Sequence, residues 1–458
     1  MASGASPRRP LWLGCGWRGL SARGKSRLHS SPGTSGERVC FEPWTGFATA
    51  SGTTRSTLPR SWSAASSPKL PAAWEGSARS PGHSDKLPHP LQPVVLRDRI
   101  VLMDRGRMAE IAERLREEVA RHYERELLET GGLWETGPYA PVGVEEYRQA
   151  KVFERVLLDE FAGTRLEDFY ELEEVPTEYG PAVAIVDREP YPGLGVKPDR
   201  CRQEIERAVR LLWGVGPATE QHLRSSGYRS LRELVHHPRW GPEARRLVEA
   251  IDTGRIEELA FQVWRWYTAS HPLSMLLLGL INPTQFAFLD IETLGITTEP
   301  LILVGIAWPE GRELLVRQLL VRHIPEELPV LMAAGKSIAE VRALVTFNGR
   351  AFDLHFLEAR RSYYGLEPPP DKPNFDLLFF ARRRWREELP NCRLETLERY
   401  VLGIERSLDV PSALVPEFYV RYLSEKNIGP LVAIIEHNKQ DLVSMALLLS
   451  RLWDEWFG

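Results

Sequence analysis

Hydrophobic and polar positions are most regularly ordered in the last third of the chain. The apolar runs Phe286–Ile291, Leu301–Trp308, Glu313–Leu319 and Ala343–Phe347 predict four strands, three of them consecutive, with helices between and after them. Side chains alternate along a strand, so in Phe286-Ala-Phe-Leu-Asp-Ile-Glu-Thr293 the acidic Asp290 and Glu292 share one face and Leu289 and Ile291 the other. Asn348-Gly349 ends the fourth run and predicts a helix from about Ala351, with Asp353 in its first turn. From about Pro430 to Trp456, the spacing of Leu431, Ile434, Ile435, Leu442 and Leu448 predicts a long helix packed on the sheet. His437 and Asp441 stand four apart on that helix, on one face, and its packing would place them over the strand that carries Asp290. The pattern predicts an α/β domain over 286–458, with three consecutive strands first and helices flanking the sheet.

Upstream, helical periodicity dominates. A charged helix is expected from about Met108 to Leu128, and Ala182-Val-Ala-Ile-Val186 reads as a strand within a mixed region, 103–195, in which no catalytic constellation is visible. Over 196–255 an amphipathic helix beginning near Cys201 leads into Leu212-Trp-Gly-Val-Gly-Pro-Ala-Thr-Glu-Gln-His-Leu223, followed by Gly227-Tyr-Arg-Ser-Leu-Arg-Glu-Leu234. A helix-rich linker, 256–285, carries Trp264, Trp266 and Tyr267, a spacing that suits packing between domains. Arg382, Arg383, Arg384 and Arg386 around Trp385 form either a local basic patch or an ordinary solvated helix face.

Composition adds a boundary. The chain has 458 residues, more than one hydrophobic core usually serves, and a net charge of −4. That charge conceals an asymmetry: 14 Lys and Arg against 5 Asp and Glu precede Met103, and 44 against 57 follow. Residues 1–102 are rich in Ser, Pro, Gly and Arg without periodicity and are expected to be disordered. Met103 is the first methionine after Met1 and directly precedes the first strong helical pattern, so an over-extended gene start is the expectation for this segment. A basic, acid-poor N-terminus also suits a transit peptide, but frequent Pro and Gly interrupt an amphipathic helix there. No apolar run approaches the ~20 residues that span a bilayer. Cys15, Cys40, Cys201 and Cys392 lack Cys-x-x-Cys spacing, which argues against a zinc ribbon or disulfide scaffold and suits a reducing cytoplasm.

The chemistry lies in Asp290, Glu292, Asp353 and Asp441. Carboxylates gathered at one point repel and raise one another's pKa, and divalent cations relieve that repulsion. Oxygen ligands favour Mg²⁺ or Mn²⁺, and two ions ~3.5–4 Å apart stabilise both the attacking and the leaving oxygen of phosphodiester hydrolysis. An ordinary histidine, with a pKa near ~6.5, could orient or deprotonate the attacking water. Taken singly, each motif also has a bland explanation as a solvated strand edge or a satisfied helical histidine.

Taken in order, these motifs resemble the DEDD family of 3′–5′ exonucleases, which have a ribonuclease H-like fold. The Asp-x-Glu strand is carried by Asp290 and Glu292, the Asn-x-x-x-Phe-Asp segment by Asp353, and the terminal helix by His437 and Asp441. The stretches Cys392-Arg-Leu-Glu-Thr-Leu-Glu398, Leu402-Gly403, Asp409-Val-Pro411, Pro416-Glu-Phe-Tyr419 and His437-Asn438 are similar to the YprB-like ribonuclease H-like branch. The resemblance covers about 286–457. It implies a nuclease acting on DNA or RNA with a single-stranded 3′ end, with four carboxylates holding two Mg²⁺ or Mn²⁺ ions and His437 assisting water attack. One departure is visible: three residues separate His437 from Asp441, the spacing usual in the tyrosine subclass, where the histidine subclass has four. A structure-selective endonuclease, or a nucleic-acid-binding protein with little catalysis, is an alternative reading of the same residues.

The Leu212–Leu223 stretch resembles a helix-hairpin-helix unit. The resemblance implies sequence-independent contact of Gly214, Val215 and Gly216 with a phosphate backbone, through free amides at a helix start. A turn used only as a packing corner is the alternative.

Overall fold

The computed structural model describes residues 144–406 and 409–458. Expectations for residues 1–102 and for a helix near 108–128 lie outside the described residues. Seven strands form one sheet: β1 (Leu172–Thr177), β2 (Gly180–Pro190), β3 (Phe286–Thr293), β4 (Leu301–Glu310), β5 (Glu313–Leu320), β6 (Ala343–Thr346) and β7 (Asn374–Asp376). Their spatial order is β1-β2-β5-β4-β3-β6-β7. Strands β1 to β5 pair antiparallel in that order, whereas β6 runs parallel to β3 and β7 parallel to β6. The parallel pairs require crossovers, and the helix Glu327–Glu340 links β5 to β6 while Asp353–Tyr363 links β6 to β7.

The mixed sheet with flanking helices agrees with the ribonuclease H-like fold that the resemblance implies; β3 to β6 begin where their apolar runs begin, β2 begins at Gly180, ahead of the expected Ala182, and β1 and β7 were not expected. The sheet does not respect the division drawn at residue 286. The hairpin β1–β2 extends it at β5, with Ile185 opposite Gln318 and Val186 opposite Arg317. Alternation along β2 buries Ala182 and Ala184 beside the helix Glu327–Glu340, and Ile185 on the opposite side.

Layers form on both faces. Ala287, Leu289 and Ile291 of β3 pack with Val330, Leu331, Ala334, Phe356 and Leu357 of the crossover helices. On the other face, Phe286 and Phe288 join a cluster that includes Leu442, Met445 and Leu449 of the C-terminal helix, Gly429–Phe457. That helix is 29 residues long and crosses the sheet closely at Gly305 of β4, whose hydrogen-lined surface faces Asn438 Oδ1 and Leu442. The helix Val415–Glu425 and the helix Val144–Glu160 cover its first turns, burying Phe153, Leu157, Phe418 and Tyr419 with Leu431 and Ile434.

One buried ion pair ties the first layer together. Arg360 meets Glu327 with two of its three nitrogens, Nε at 2.7 Å and Nη2 at 2.6 Å, and Glu327 also accepts from the Leu301 amide at 2.8 Å and the Tyr364 hydroxyl at 2.8 Å. The residues 198–280 form helices Pro198–Glu206, Pro217–Ser225, Gly241–Asp252 and Ile256–Trp266 with short helical turns between and after them, continuous with the core beneath the C-terminal helix. The linker is thus not one helix: it breaks at Tyr267 before the short turns Pro272–Met275 and Leu276–Leu280. No helix among the described residues is long and apolar enough to cross a membrane.

Candidate active site

Period-two alternation in β3 turns Asp290 and Glu292 away from Leu289 and Ile291 and towards the C-terminal helix. The strand register places Asp290 opposite Gly305 and Glu292 opposite Leu303, just before an irregularity between Glu292 and Thr293. The missing side chain at Gly305 lets the helix approach, and Asn438 Nδ2 donates to Asp290 Oδ2 at 2.7 Å. Gln318 fixes the orientation of Asn438, donating to its Oδ1 at 3.0 Å and to the Ile435 carbonyl at 2.8 Å.

Asp353 arrives from the other side. The chain leaves β6 through Asn348, at φ 65° in the left-handed region that asparagine tolerates, and Asp353 opens the helix Asp353–Tyr363. Asp376 holds that turn, its carboxylate accepting from the amides of Asn348 at 2.8 Å and Arg350 at 3.2 Å while capping the helix Leu377–Trp385. The backbone amide of Ile291, between Asp290 and Glu292, favours the ionised form of the Asp353 carboxylate. Parts of the chain separated by sixty residues thereby meet at one point.

His437 and Asp441 complete the group from the C-terminal helix. His437 Nε2 lies 3.9 Å from Glu292 and 3.9 Å from Asp441, and 3.4 Å from the Ser412 hydroxyl. Its Nδ1 meets Asp409 at 2.5 Å. Arg406 reaches in beside them and pairs with Glu398 at 2.6 Å, Asp409 at 2.6 Å and Asp441. Glu398, itself buried, lies on a π-helical turn and also accepts from Ser444. The structure therefore brings together Asp290, Glu292, Asp353, His437 and Asp441.

Electrostatics follow from burial. Burial raises Asp290 well above the ordinary carboxylate range, and Asp441, Asp353 and Glu292 push it further. Glu292 is pushed up to about 8 by burial and by neighbouring carboxylates, against the opposing pull of His437. Asp353 is raised to about 7 by burial, although backbone donors oppose the shift, and Asp441 is raised by burial against His437 and Arg406. Burial disfavours charge on His437, but its bond to Asp409 and the fields of Asp441 and Glu292 outweigh that, and its pKa rises to about 10. Asp409 is correspondingly held low by His437 and Arg406, despite burial. Negative charge exceeds the cationic partners here, and protons make up the difference.

The donor set suits a hard divalent cation: acidic oxygens, buried, in excess of their partners. Among the described residues, no group of three or more acidic, histidine or cysteine side chains stands in an arrangement that would hold a metal ion without rearrangement. Two ligand candidates are turned onto protein partners, Asp441 onto Arg406 and Asp290 onto Asn438.

The sequence pattern assigns no role to Asp409, Glu398, Asn438 or Arg406. The first three fall in stretches that carry the family resemblance; Arg406 has no such signal, because its contacts join a loop to two helices.

The hairpin lies in a separate part of the molecule. Gly214, at φ 75°, turns the chain; Val215 is buried, and its amide donates to the Leu212 carbonyl at 3.2 Å; Gly216 precedes the nine-residue helix Pro217–Ser225. Val215 thus spends its amide within the turn. In the arginine-rich segment, Arg384 pairs with Glu455 at 2.9 Å and Glu388 at 2.6 Å, and Arg383 donates to Thr268 at 3.3 Å. Cys201 and Cys392 are buried free thiols.

Residues 287–453 match the family model described as RNase_H superfamily. The region that carries the candidate site is therefore ribonuclease H-like, in agreement with the sheet order and the flanking helices. The chain is 30% identical over 196 residues to "Uncharacterized protein YprB" of Bacillus subtilis (strain 168), an alignment that covers 42% of this chain and 46% of the relative. The chain thus spans about half the length of this curated relative. Among solved structures, the family B DNA polymerase from the hyperthermophilic archaeon Pyrobaculum calidifontis aligns with a TM-score of 0.30 and 15% identity, over 38% of this chain and 27% of that one.

Proposed function

We propose that the chain is a metal-dependent nuclease, most specifically a 3′–5′ exonuclease, with its centre at Asp290, Glu292, Asp353 and Asp441. The observation that carries the reading is the gathering of these four carboxylates, Glu292 and Asp353 buried and Asp290 and Asp441 partly so, with raised pKa values that cationic side chains only partly offset. Such an arrangement costs stability and serves a cation. Two Mg²⁺ or Mn²⁺ ions would supply charge neutralisation at the scissile phosphate and a low-pKa water.

The protein's own groups do the rest. Asp290 and Glu292 are fixed by their strand, and Asp353 by the first turn of its helix, so three acidic side chains are preorganised on rigid elements. Asn438 orients Asp290. Asp409 holds the Nδ1 side of His437 and leaves Nε2 facing Glu292 and Asp441. With the carboxylates unneutralised, His437 holds its proton at neutral pH and cannot act as a base. Its role in this reading is to accept a proton at Nε2 once the surrounding negative charge is compensated. Arg406 must release Asp441 for that carboxylate to serve as a ligand. The hairpin is assigned to contact with the nucleic-acid backbone through Gly214 and Gly216, while Val215, buried and with its amide spent on the Leu212 carbonyl, supports the turn.

The test is a time course with single-stranded DNA and RNA labelled at the 5′ end, in Mg²⁺, Mn²⁺ and EDTA. A metal-dependent ladder that shortens one nucleotide at a time supports the exonuclease. Internal fragments from the first time points would replace it with an endonuclease, and intact strands in every metal would remove the nuclease reading.

A further inference from the structure

The arginines around the hairpin divide into two groups. Arg207 pairs with Glu204, Arg224 with Glu220, and Arg232 with Glu206 and Asp252. Arg239 and Arg265 have no carboxylate partner among the described residues; both lie against indole rings instead. Arg265 lies 4.4 Å from the centroid of Trp213 and 5.3 Å from that of Trp266, and Arg239 lies 4.8 Å from that of Trp240. The Trp213 and Trp266 rings are themselves 5.4 Å apart.

Both tryptophans are presented to solvent from fixed backbone. Trp213 is 58% exposed and Trp266 36%. The Trp213 amide donates to Glu243 at 3.0 Å, and its carbonyl accepts from the Trp240 indole at 3.0 Å. Gln262 ties the helix Ile256–Trp266 to the same turn, donating to the Leu211 carbonyl. Trp213 directly precedes Gly214, so the exposed rings adjoin the hairpin turn. Two large apolar rings held out of the core, with unpaired guanidinium charge against them, suit a ligand that has flat π-faces and negative charge in alternation. A peptide supplies one or the other; a nucleic-acid strand supplies both at each step.

We infer that Trp213, Trp266 and Arg265, with Arg239 beside them, form a stacking platform for unpaired bases of a single-stranded nucleic acid. The inference rests on the nuclease reading for its choice of substrate and adds the surface on which the strand is held. It differs from the hairpin's phosphate contact because it requires bases.

The test uses the full chain in EDTA, so that binding is read without turnover. Fluorescence anisotropy follows a labelled twenty-nucleotide oligo(dT) and an abasic strand of equal length, with the wild type, Trp213→Ala, Trp266→Ala, the double variant and Trp213→Phe. The main-chain bonds at residue 213 do not use its side chain, so Trp213→Ala should keep the fold, and thermal melting confirms it. The platform predicts a loss of tenfold or more for oligo(dT) in the double variant, near-recovery in Trp213→Phe, quenching of indole fluorescence on binding, and weak binding of the abasic strand by every form. Equal affinity of wild type and double variant for oligo(dT), or of the wild type for both strands, overturns it. If cleavage in metal is intact while the variants bind alike, the platform fails and the nuclease reading stands. If the wild type neither binds nor cuts, both fail.

Discussion

Glu292→Gln should make the metal-free protein more stable as pH rises, while ending catalysis. Glu292 has an ordinary value of 4.5 and is pushed up to about 8 in the folded chain. The unfolded chain therefore releases this proton above about pH 4.5, whereas the folded chain keeps it until about pH 8. For an acid raised in this way, stability is highest at low pH and is lost as pH climbs through that window. Each pH unit between the two values costs about 1.4 kcal/mol, so the wild type loses roughly 4 kcal/mol at this residue between pH 5 and pH 8. Glutamine resembles the protonated acid in shape and does not titrate. Urea unfolding in EDTA at pH 5, 6, 7 and 8 should show the variant gaining on the wild type by roughly 4 kcal/mol across the series. A cation stabilises the wild type through the ionised site and should narrow the gap. A difference that stays flat with pH, or that moves against the variant, would refute the claim that Glu292 is held at an electrostatic cost.

Three other perturbations have defined outcomes. Arg360→Met leaves the fully buried Glu327 uncompensated and should cost about 3–5 kcal/mol in urea unfolding, while Arg360→Met with Glu327→Gln should lose less. Gly305→Ala sets a methyl group against Asn438 Oδ1 and Leu442, so it should lower stability by about 1–3 kcal/mol and reduce turnover, by moving the helix that orients Asp290. Asp409→Asn removes the anion that supports the His437 imidazolium, whose pKa that bond helps to raise to about 10, and the ring titration followed by NMR in EDTA should fall at lower pH in the variant than in the wild type. Because that value lies above the ordinary 6.5, the stability His437 contributes is complete below about pH 6.5 and lost as pH rises through about 10; Asp409→Asn should shrink it.

The four strands from Phe286 to Thr346 and the terminal helix were legible because their patterns are local, whereas Leu172–Thr177 and Asn374–Asp376 carry no such run and were not. Phe286–Ile291 is a short apolar run, and once it is a strand the shared facing of Asp290 and Glu292 follows from β geometry alone; the structure agrees through Leu289 and Ile291 on the opposite face. Asn348 marked its turn because a residue at positive φ is usually glycine or asparagine. The partnership of β2 with β5 was not legible. It joins residues about 130 positions apart, and nothing in Ala182–Val186 names its neighbour. The charge balance of the site was hidden for the same reason. Arg406 acquires meaning only when Glu398, Asp409 and Asp441 converge on it from three segments, and that convergence leaves no periodic trace.

The central claim is that the four carboxylates form a hydrolytic centre. Its most direct test compares the full chain with Asp353→Asn on end-labelled single strands, in Mg²⁺ or Mn²⁺ and in EDTA, with strand binding measured alongside. The account predicts metal-dependent shortening by the wild type, a rate at least ~10²-fold lower for Asp353→Asn, and comparable binding by both in EDTA. Equal turnover by the two proteins, or cleavage that persists in EDTA, would contradict it.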